Sequence, residues 1–222
     1  MRYQTIIFDL DGTLLNTLVD LTNSVNHTLT HYQEPNRSID EIQSFIGNGV
    51  RILLQRSFQK PLTKAFLEEA LTVFRTHYSI HMNDHTRMYE GLEPVLCALK
   101  EQNKQLAIVS NKIDQAVKEL NQQYFSAYIP LAIGTPSNHK KPDPYSVLQV
   151  IQHYHSTPNK TIYVGDSEVD ITTAHNAGIK CIGVSWGFRG HDFLKEHGAD
   201  ILVDTPQELL EVLTMPNECN DL

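Results

Sequence analysis

Six short runs of β-branched and aliphatic residues recur along the chain: TIIFDL (5–10), QLAIVS (105–110), IPLAIG (129–134), TIYVGD (161–166), KCIGVS (180–185) and ADILVD (199–204). Most are separated by a single amphipathic stretch of helical length, such as GLEPVLCALKEQN (91–103) before the second and DPYSVLQVIQHY (143–154) before the fourth. Strand and helix in alternation imply βαβ units, and therefore a parallel sheet with helices on both faces. The expected class is α/β, with a Rossmann-like core.

One interval breaks the alternation. Residues 17–86 show no convincing strand but several helical patterns: LVDLTNSVNHTLTHY, SIDEIQSFIG, GVRILLQRSF and TKAFLEEALTVFRTHYSIHM. SIDE at 38–41 has the form of a capping box, Ser38 as cap and Glu41 three residues on. The expected organisation is therefore a core of residues 1–16 and 87–222 interrupted by an all-helical insert, 17–86. The polar tail MPNECNDL (215–222) is expected to fray.

At 222 residues, 41% hydrophobic and 20% charged, the chain can bury a substantial core. Its apolar runs fall short of the roughly 20 residues that span a bilayer, and no signal-peptide pattern is present, so a soluble cytoplasmic protein is expected. Cys97, Cys181 and Cys219 are odd in number and lie outside any CxxC spacing, which argues against a disulfide framework or a thiolate metal site. The formal net charge of −8 argues against nucleic acid and anionic membrane as partners. An anionic substrate would need local cations to overcome that background.

Ligands of open parallel sheets gather beyond the carboxyl ends of the strands. Asp9 and Asp11 stand at that end of the first run, in DLDGT. The second run ends in Ser110-Asn111-Lys112; KKPDP, with Lys140 and Lys141, follows the third; the fourth ends in GDSEVD, with Asp166 and Asp170. A hydroxyl, lysines and two pairs of carboxylates thus converge on one rim.

In these four motifs the sequence resembles the haloacid dehalogenase superfamily, over essentially the whole chain and in the family's order. The insert is similar to the helical cap that some members carry after the first motif. FIGNGV (45–50), SNK (110–112) and VSWGF (184–188) resemble segments of phosphoglycolate phosphatases. The resemblance implies that Asp9 attacks phosphorus to form an aspartyl-phosphate, while Asp11 protonates the leaving alkoxide and then takes a proton from water. It implies Mg²⁺ held by the Asp9 side chain, the Asp11 carbonyl and Asp166, with Asp170 holding a metal-bound water or pairing with Lys141. Ser110, the Asn111 amide and Lys141 would hold phosphate oxygens, and Leu10, Gly12 and Thr13 would form the loop that lets the backbone approach phosphate. Gly47, Asn48 and Gly49 would present amides to substrate from a cap that swings about hinges near Asn16 and MYEGL (88–92).

Blander readings stand beside these. Lys140 reads as a solvated loop residue, and IGNGV as functional or a plain helix-to-helix turn. His77, His81 and His85 share an i, i+4, i+8 spacing that mimics a metal site, although isolated, partly exposed histidines are the expectation. Asn16 stands where the family often has an acidic residue. The expected function is Mg²⁺-dependent hydrolysis of a small phosphorylated metabolite, 2-phosphoglycolate or similar, by a monomer or homodimer. A sugar phosphomutase, an inorganic pyrophosphatase, a nucleotidase and a non-catalytic binding protein on the same fold are the alternatives. Asp11 argues against a dehalogenase, whose family pattern lacks it.

Overall fold

The computed structural model describes residues 3–135 and 138–215. In chain order its elements are β1 (Thr5–Phe8), β2 (Leu15–Asn16), α1 (Leu18–His31), α2 (Ile39–Phe45), α3 (Gly49–Ser57), α4 (Lys64–His81), β3 (Arg87–Met88), α5 (Leu92–Glu101), β4 (Gln105–Ile113), α6 (Asp114–Leu120), β5 (Leu131–Thr135), α7 (Tyr145–His153), β6 (Thr161–Gly165), α8 (Glu168–Asn176), β7 (Lys180–Val184), α9 (His191–Glu196), β8 (Ile201–Val203) and α10 (Pro206–Thr214). The chain divides into two compact units, Met1–Leu14 with Met88–Leu222, and Leu15–Arg87.

The first unit holds a six-stranded parallel sheet in the order β5-β4-β1-β6-β7-β8. All six apolar runs became its strands. The chain proceeds outward from β1 in both directions, so β1 lies at the switch point where crossovers reverse and where such sheets bind ligands. Ile7, Ala107, Val109, Tyr163 and Cys181 pack on one face with Val147 and Val150 of α7 and Ile171 and Ala174 of α8. Their neighbours Ile6, Phe8, Leu106, Ile108, Ile162 and Val164 are equally buried. By the pleat they occupy the opposite face, which is why these strands read as continuous apolar runs.

The second unit is helical apart from short strand at its margins, where β2 pairs with β3. Leu21, Val25 and Leu29 form a buried stripe on α1, and Leu67, Leu71, Phe74 and Tyr78 form one on α4; the two helices pack together. Ser38 and Glu41 make both bonds of the expected capping box.

Two short strands carried no sequence signal, and three sequence expectations need amendment. The two-residue strands β2 and β3 were too short to carry a pattern. β4 was expected to stop at Ser110 but runs to Ile113, with a register shift against β5 after Val109. The helical spacing was carried past the end of α4: the helix stops at His81, so His85 does not share its face.

Nor are those histidines isolated. His77 stacks on His27 at 4.1 Å and on His81 at 4.4 Å between ring centroids. His85 belongs to a separate arrangement around the buried carboxylate of Asp20. The backbone N–H groups of His85 and Thr86 and the Thr86 hydroxyl donate to Asp20, and His85 Nδ1 lies 2.9 Å from it. One side chain on α1 thereby fixes the segment that leaves the unit. Burial alone would raise the Asp20 carboxyl, but these donors, led by the His85 N–H, hold it below the usual carboxylate range.

Asp20→Ala should therefore lower stability at pH 7 by about 2–4 kcal/mol, because it leaves several donors unpaired. A carboxyl depressed in the folded state contributes above its unfolded pKa, near 4, and that contribution fades as pH falls through the folded value. Melting temperatures of wild type and variant should converge below about pH 4. A pH-independent gap would contradict the assignment.

Of the cysteines, Cys97 is exposed, Cys181 is buried and both are free thiols. Cys219, like the rest of the tail beyond Met215, lies outside the described residues. No helix among the described residues is long and apolar enough to cross a membrane.

Candidate active site

Three strand ends and the loop after β5 deliver the site. β1 is flanked by β4 and β6, so Asp9 emerges between Ser110 and Asp166. Lys141, from the loop after β5, reaches under them. Its Nζ lies 2.9 Å from Asp9 Oδ1 and 2.7 Å from Asp170 Oδ1, and it donates to the Tyr163 hydroxyl at 3.0 Å. That hydroxyl donates its own hydrogen to the Val109 carbonyl, so the lysine is braced from the sheet below. Burial alone would lower the Lys141 pKa, but Asp170 and then Asp9 hold it well above the ordinary lysine value. It is a fixed cation.

Asp9, Asp166 and Asp170 are all buried and offer oxygens within 4.8 Å of one another. Burial, reinforced by Asp170, raises the Asp9 carboxyl to about 7, with Lys141 opposing. Burial, then Asp170 and Asp9, pushes Asp166 well above the carboxylate range, against the pull of the Phe188 N–H. Asp9 Oδ1 has no hydrogen-bond partner, since Lys141 approaches it as an ion pair without hydrogen-bond geometry. Three carboxylates facing one ammonium leave the cluster two positive charges short, and hard oxygen donors suit a hard divalent cation. The residues present fit such an ion.

Asp170 also closes the first turn of α8, where its Oδ2 accepts from both the N–H and the hydroxyl of Ser167. Of the two roles the sequence left open for it, a metal-bound water or a bond to Lys141, the bond to Lys141 is present.

The loop after β1 is shaped by Asp166 as much as by any ligand. Gly12 has φ +85°, and a Cβ there would lie 2.3 Å from Asp166 Oδ2. A Cβ on Gly187 would likewise lie 2.3 Å from the Asp166 Cβ and 2.5 Å from the Gly12 carbonyl oxygen. The expectation that Gly12 admits the backbone to phosphate thus gains a nearer cause. Thr13 braces the loop by a 3.4 Å bond from its hydroxyl to Asp166 Oδ1. Trp186 Nε1 donates to the Thr13 carbonyl, and the Phe188 N–H donates to Asp166 Oδ2 at 2.7 Å. Those contacts give the VSWGF segment its role. The Leu10 side chain is fully buried, so only its backbone is available to a ligand; its carbonyl accepts from the Leu14 N–H.

The Asn111 side chain is committed to the Lys141 main chain. Its Oδ1 accepts from the Lys141 N–H at 2.8 Å, and its Nδ2 donates to the Lys141 carbonyl at 3.2 Å. The side chain thus imitates a backbone partner and fixes the catalytic lysine's main chain. Ser110 is buried, with its hydroxyl accepting the Lys112 N–H.

Sequence reasoning assigned Lys112, Tyr163, Tyr89 and Gly187 no role. Lys112 Nζ contacts both Asp11 oxygens, at 2.7 and 3.0 Å. Burial, then Asp166 and Asp11, raises the Tyr89 phenol well above its usual value. Of these, Lys112 had a usable signal, since it closes the SNK motif; a phenol beneath a lysine has none. Gly47, Asn48 and Gly49 belong to the other unit, where Gly47 and Asn48 link α2 to α3 and Gly49 opens α3; the two glycines have φ of 113° and 72°.

Residues 6–184 match the family described as Haloacid dehalogenase-like hydrolase. The chain is 32% identical over 212 residues to a phosphoglycolate phosphatase of Aquifex aeolicus, a match covering 95% of this chain and 96% of that one. It is 30% identical over 222 residues to the pyrophosphatase PpaX of Bacillus mycoides, covering 98% and 100% respectively. A crystal structure from Lactobacillus delbrueckii subsp. bulgaricus superposes with a TM-score of 0.89 at 30% identity, covering 96% of this chain and 99% of that one. The chain belongs to the haloacid dehalogenase-like hydrolases. Within them it is a phosphatase, a phosphoric monoester hydrolase like the phosphoglycolate phosphatases. A non-catalytic role on the same fold is thereby set aside.

Proposed function

We propose that this phosphatase hydrolyses a small phosphorylated metabolite, with 2-phosphoglycolate as the leading substrate, through a phosphoryl-enzyme on Asp9 and with Mg²⁺ as cofactor. The observation that carries the reading is Asp9 itself: a buried carboxylate at the switch point, with one oxygen lacking a hydrogen bond and a fixed ammonium beside it.

In this mechanism an Asp9 oxygen bonds to phosphorus as the bond to the leaving oxygen breaks. Asp11 gives its proton to that oxygen, so the product leaves as an alcohol. Water then attacks the aspartyl-phosphate, Asp11 takes its proton, and the bond between phosphorus and Asp9 breaks to release phosphate. Lys141 balances charge on the phosphate oxygens, with the Ser110 hydroxyl and the Asn111 N–H as further donors. Asp9, the Asp11 carbonyl and Asp166 would hold Mg²⁺, which supplies charge neutralisation that lets the anionic nucleophile approach an anionic phosphate. The turn Gly47-Asn48-Gly49 is assigned to substrate by its likeness to the glycine-rich segment of phosphoglycolate phosphatases.

Pyrophosphate is the second reading, favoured by the full-length similarity to PpaX. Hydrolysis across a panel of 2-phosphoglycolate, pyrophosphate, sugar phosphates and nucleotides, with and without Mg²⁺, decides between them. We expect 2-phosphoglycolate to give the highest kcat/KM and EDTA to abolish turnover. A sugar phosphate or nucleotide at the top, or full activity in EDTA, would overturn the reading.

A further inference from the structure

The mechanism above gives no work to Lys112, although it is nearly as deeply placed as the catalytic lysine. Its side chain is 6% exposed, and its ammonium bridges both oxygens of Asp11. Its backbone N–H is anchored on the Ser110 hydroxyl, and the extension of β4 to Ile113 carries it past the end expected from sequence. Lys141 is already committed to Asp9 and Asp170. Among the described residues, these two ammonium groups are the ones ion-paired to the carboxylates of the site.

We propose that Lys112 forms an anion subsite for the leaving group, so that the enzyme selects phosphate compounds whose departing portion carries its own negative charge close to the bridging oxygen. The inference rests on the reading that Asp11 serves that oxygen. A group in contact with both oxygens of Asp11 stands about 3 Å from the acid and therefore within a few bonds of the ester oxygen. A carboxylate one carbon away from that oxygen, or the second phosphoryl group of pyrophosphate, places anionic oxygens there. Binding exchanges one partner of Lys112 for another: the ammonium turns from Asp11 to the substrate anion, and the acid is released to face the leaving oxygen. A neutral alkyl portion cannot make that exchange. In a chain of net charge −8, such a local cation is also what an anion of several charges requires. The subsite is common to 2-phosphoglycolate and pyrophosphate.

The test compares 2-phosphoglycolate with 2-hydroxyethyl phosphate, which replaces the carboxylate by a hydroxymethyl group and leaves an alkoxide in the same way. In the wild type, kcat/KM should favour the carboxylate. In Lys112→Met the ratio of the two kcat/KM values should fall about 10- to 100-fold, mostly through KM for the anionic ester, whatever the loss common to both. Lys112→Arg should recover much of the ratio. An unchanged ratio in the Met variant would reduce Lys112 to a brace for Asp11 and overturn the proposal. Should that variant not fold, competitive inhibition of wild type by glycolate and by ethylene glycol carries the same contrast, and equal inhibition overturns it. Failure of the substrate reading looks different: the wild type would then hydrolyse 2-phosphoglycolate poorly while 2-phosphoglycerate and glycerol 2-phosphate, which differ by a carboxylate against a hydroxymethyl group on the carbon bearing the ester oxygen, still separate by the same ratio.

Discussion

Asp9→Asn should reduce turnover by at least about 10⁴-fold, because an amide cannot form the acyl phosphate and the remaining groups act only as a unit with the nucleophile. The same change should leave folding intact. In the absence of a divalent cation, the ionised Asp9 carboxylate is disfavoured by burial and by Asp170, which together raise it to about 7. A carboxyl raised in the folded state weakens stability as pH rises from its unfolded value, near 4, towards 7. The neutral amide removes that cost, so at pH 7 and without metal the melting temperature of the variant should equal or exceed that of wild type. Steady-state turnover on the best substrate and thermal melts in EDTA check the two halves. Residual turnover within a hundredfold of wild type would remove the covalent mechanism. Lost activity with a sharply lower melting temperature would instead make Asp9 a structural residue.

The sequence disclosed the sheet well because each strand is buried on both faces and therefore continuously apolar, as Ile6, Ile7 and Phe8 show. Elements of two residues carry no period, so β2 and β3 were missed. The end of β4 was missed because Ser110, Asn111 and Lys112 look like a polar loop, although the strand continues through them. At the site, the acidic residues and Lys141 were legible because their chemistry is unusual at strand ends. Their supports were not. Tyr163 beneath Lys141 reads as one more apolar strand residue, and Gly187 reads as a turn, whereas its constraint comes from Asp166 across the fold. The bracing of the Lys141 main chain by the Asn111 side chain carried no signal, because a strand-end asparagine looks the same in sequence whatever its side chain faces. Spacing failed for His85 because helical periodicity was extended across the end of α4, while the true partner, Asp20, lies 65 positions away.

Lys141→Met tests the electrostatic logic most severely. The change keeps much of the side-chain volume but deletes the ammonium that faces Asp9 and Asp170 at 2.9 and 2.7 Å. Breaking a buried pair by removing one member costs about 3–5 kcal/mol, since the other charge is left uncompensated. Here two carboxylates lose their partner and Asp166 adds repulsion, so melting without metal should fall by several degrees at pH 7. Protonation offers partial relief: lowering the pH towards 5 should narrow the gap from wild type as Asp9 and Asp166, which burial holds above the usual carboxylate range, become neutral. A divalent cation offers another. Saturating Mg²⁺ should raise the melting temperature of the variant more than that of wild type, because an ion bound to the folded state alone stabilises it by linkage and meets a larger charge deficit in the variant. Turnover should nevertheless remain about 10³-fold down, since restored charge balance does not replace a donor aimed at the phosphate. Melts across pH with and without Mg²⁺, paired with turnover, check each part. A variant as stable as wild type in EDTA would show that the cluster is not held by this lysine, and near-normal turnover would show that the lysine does not serve phosphate.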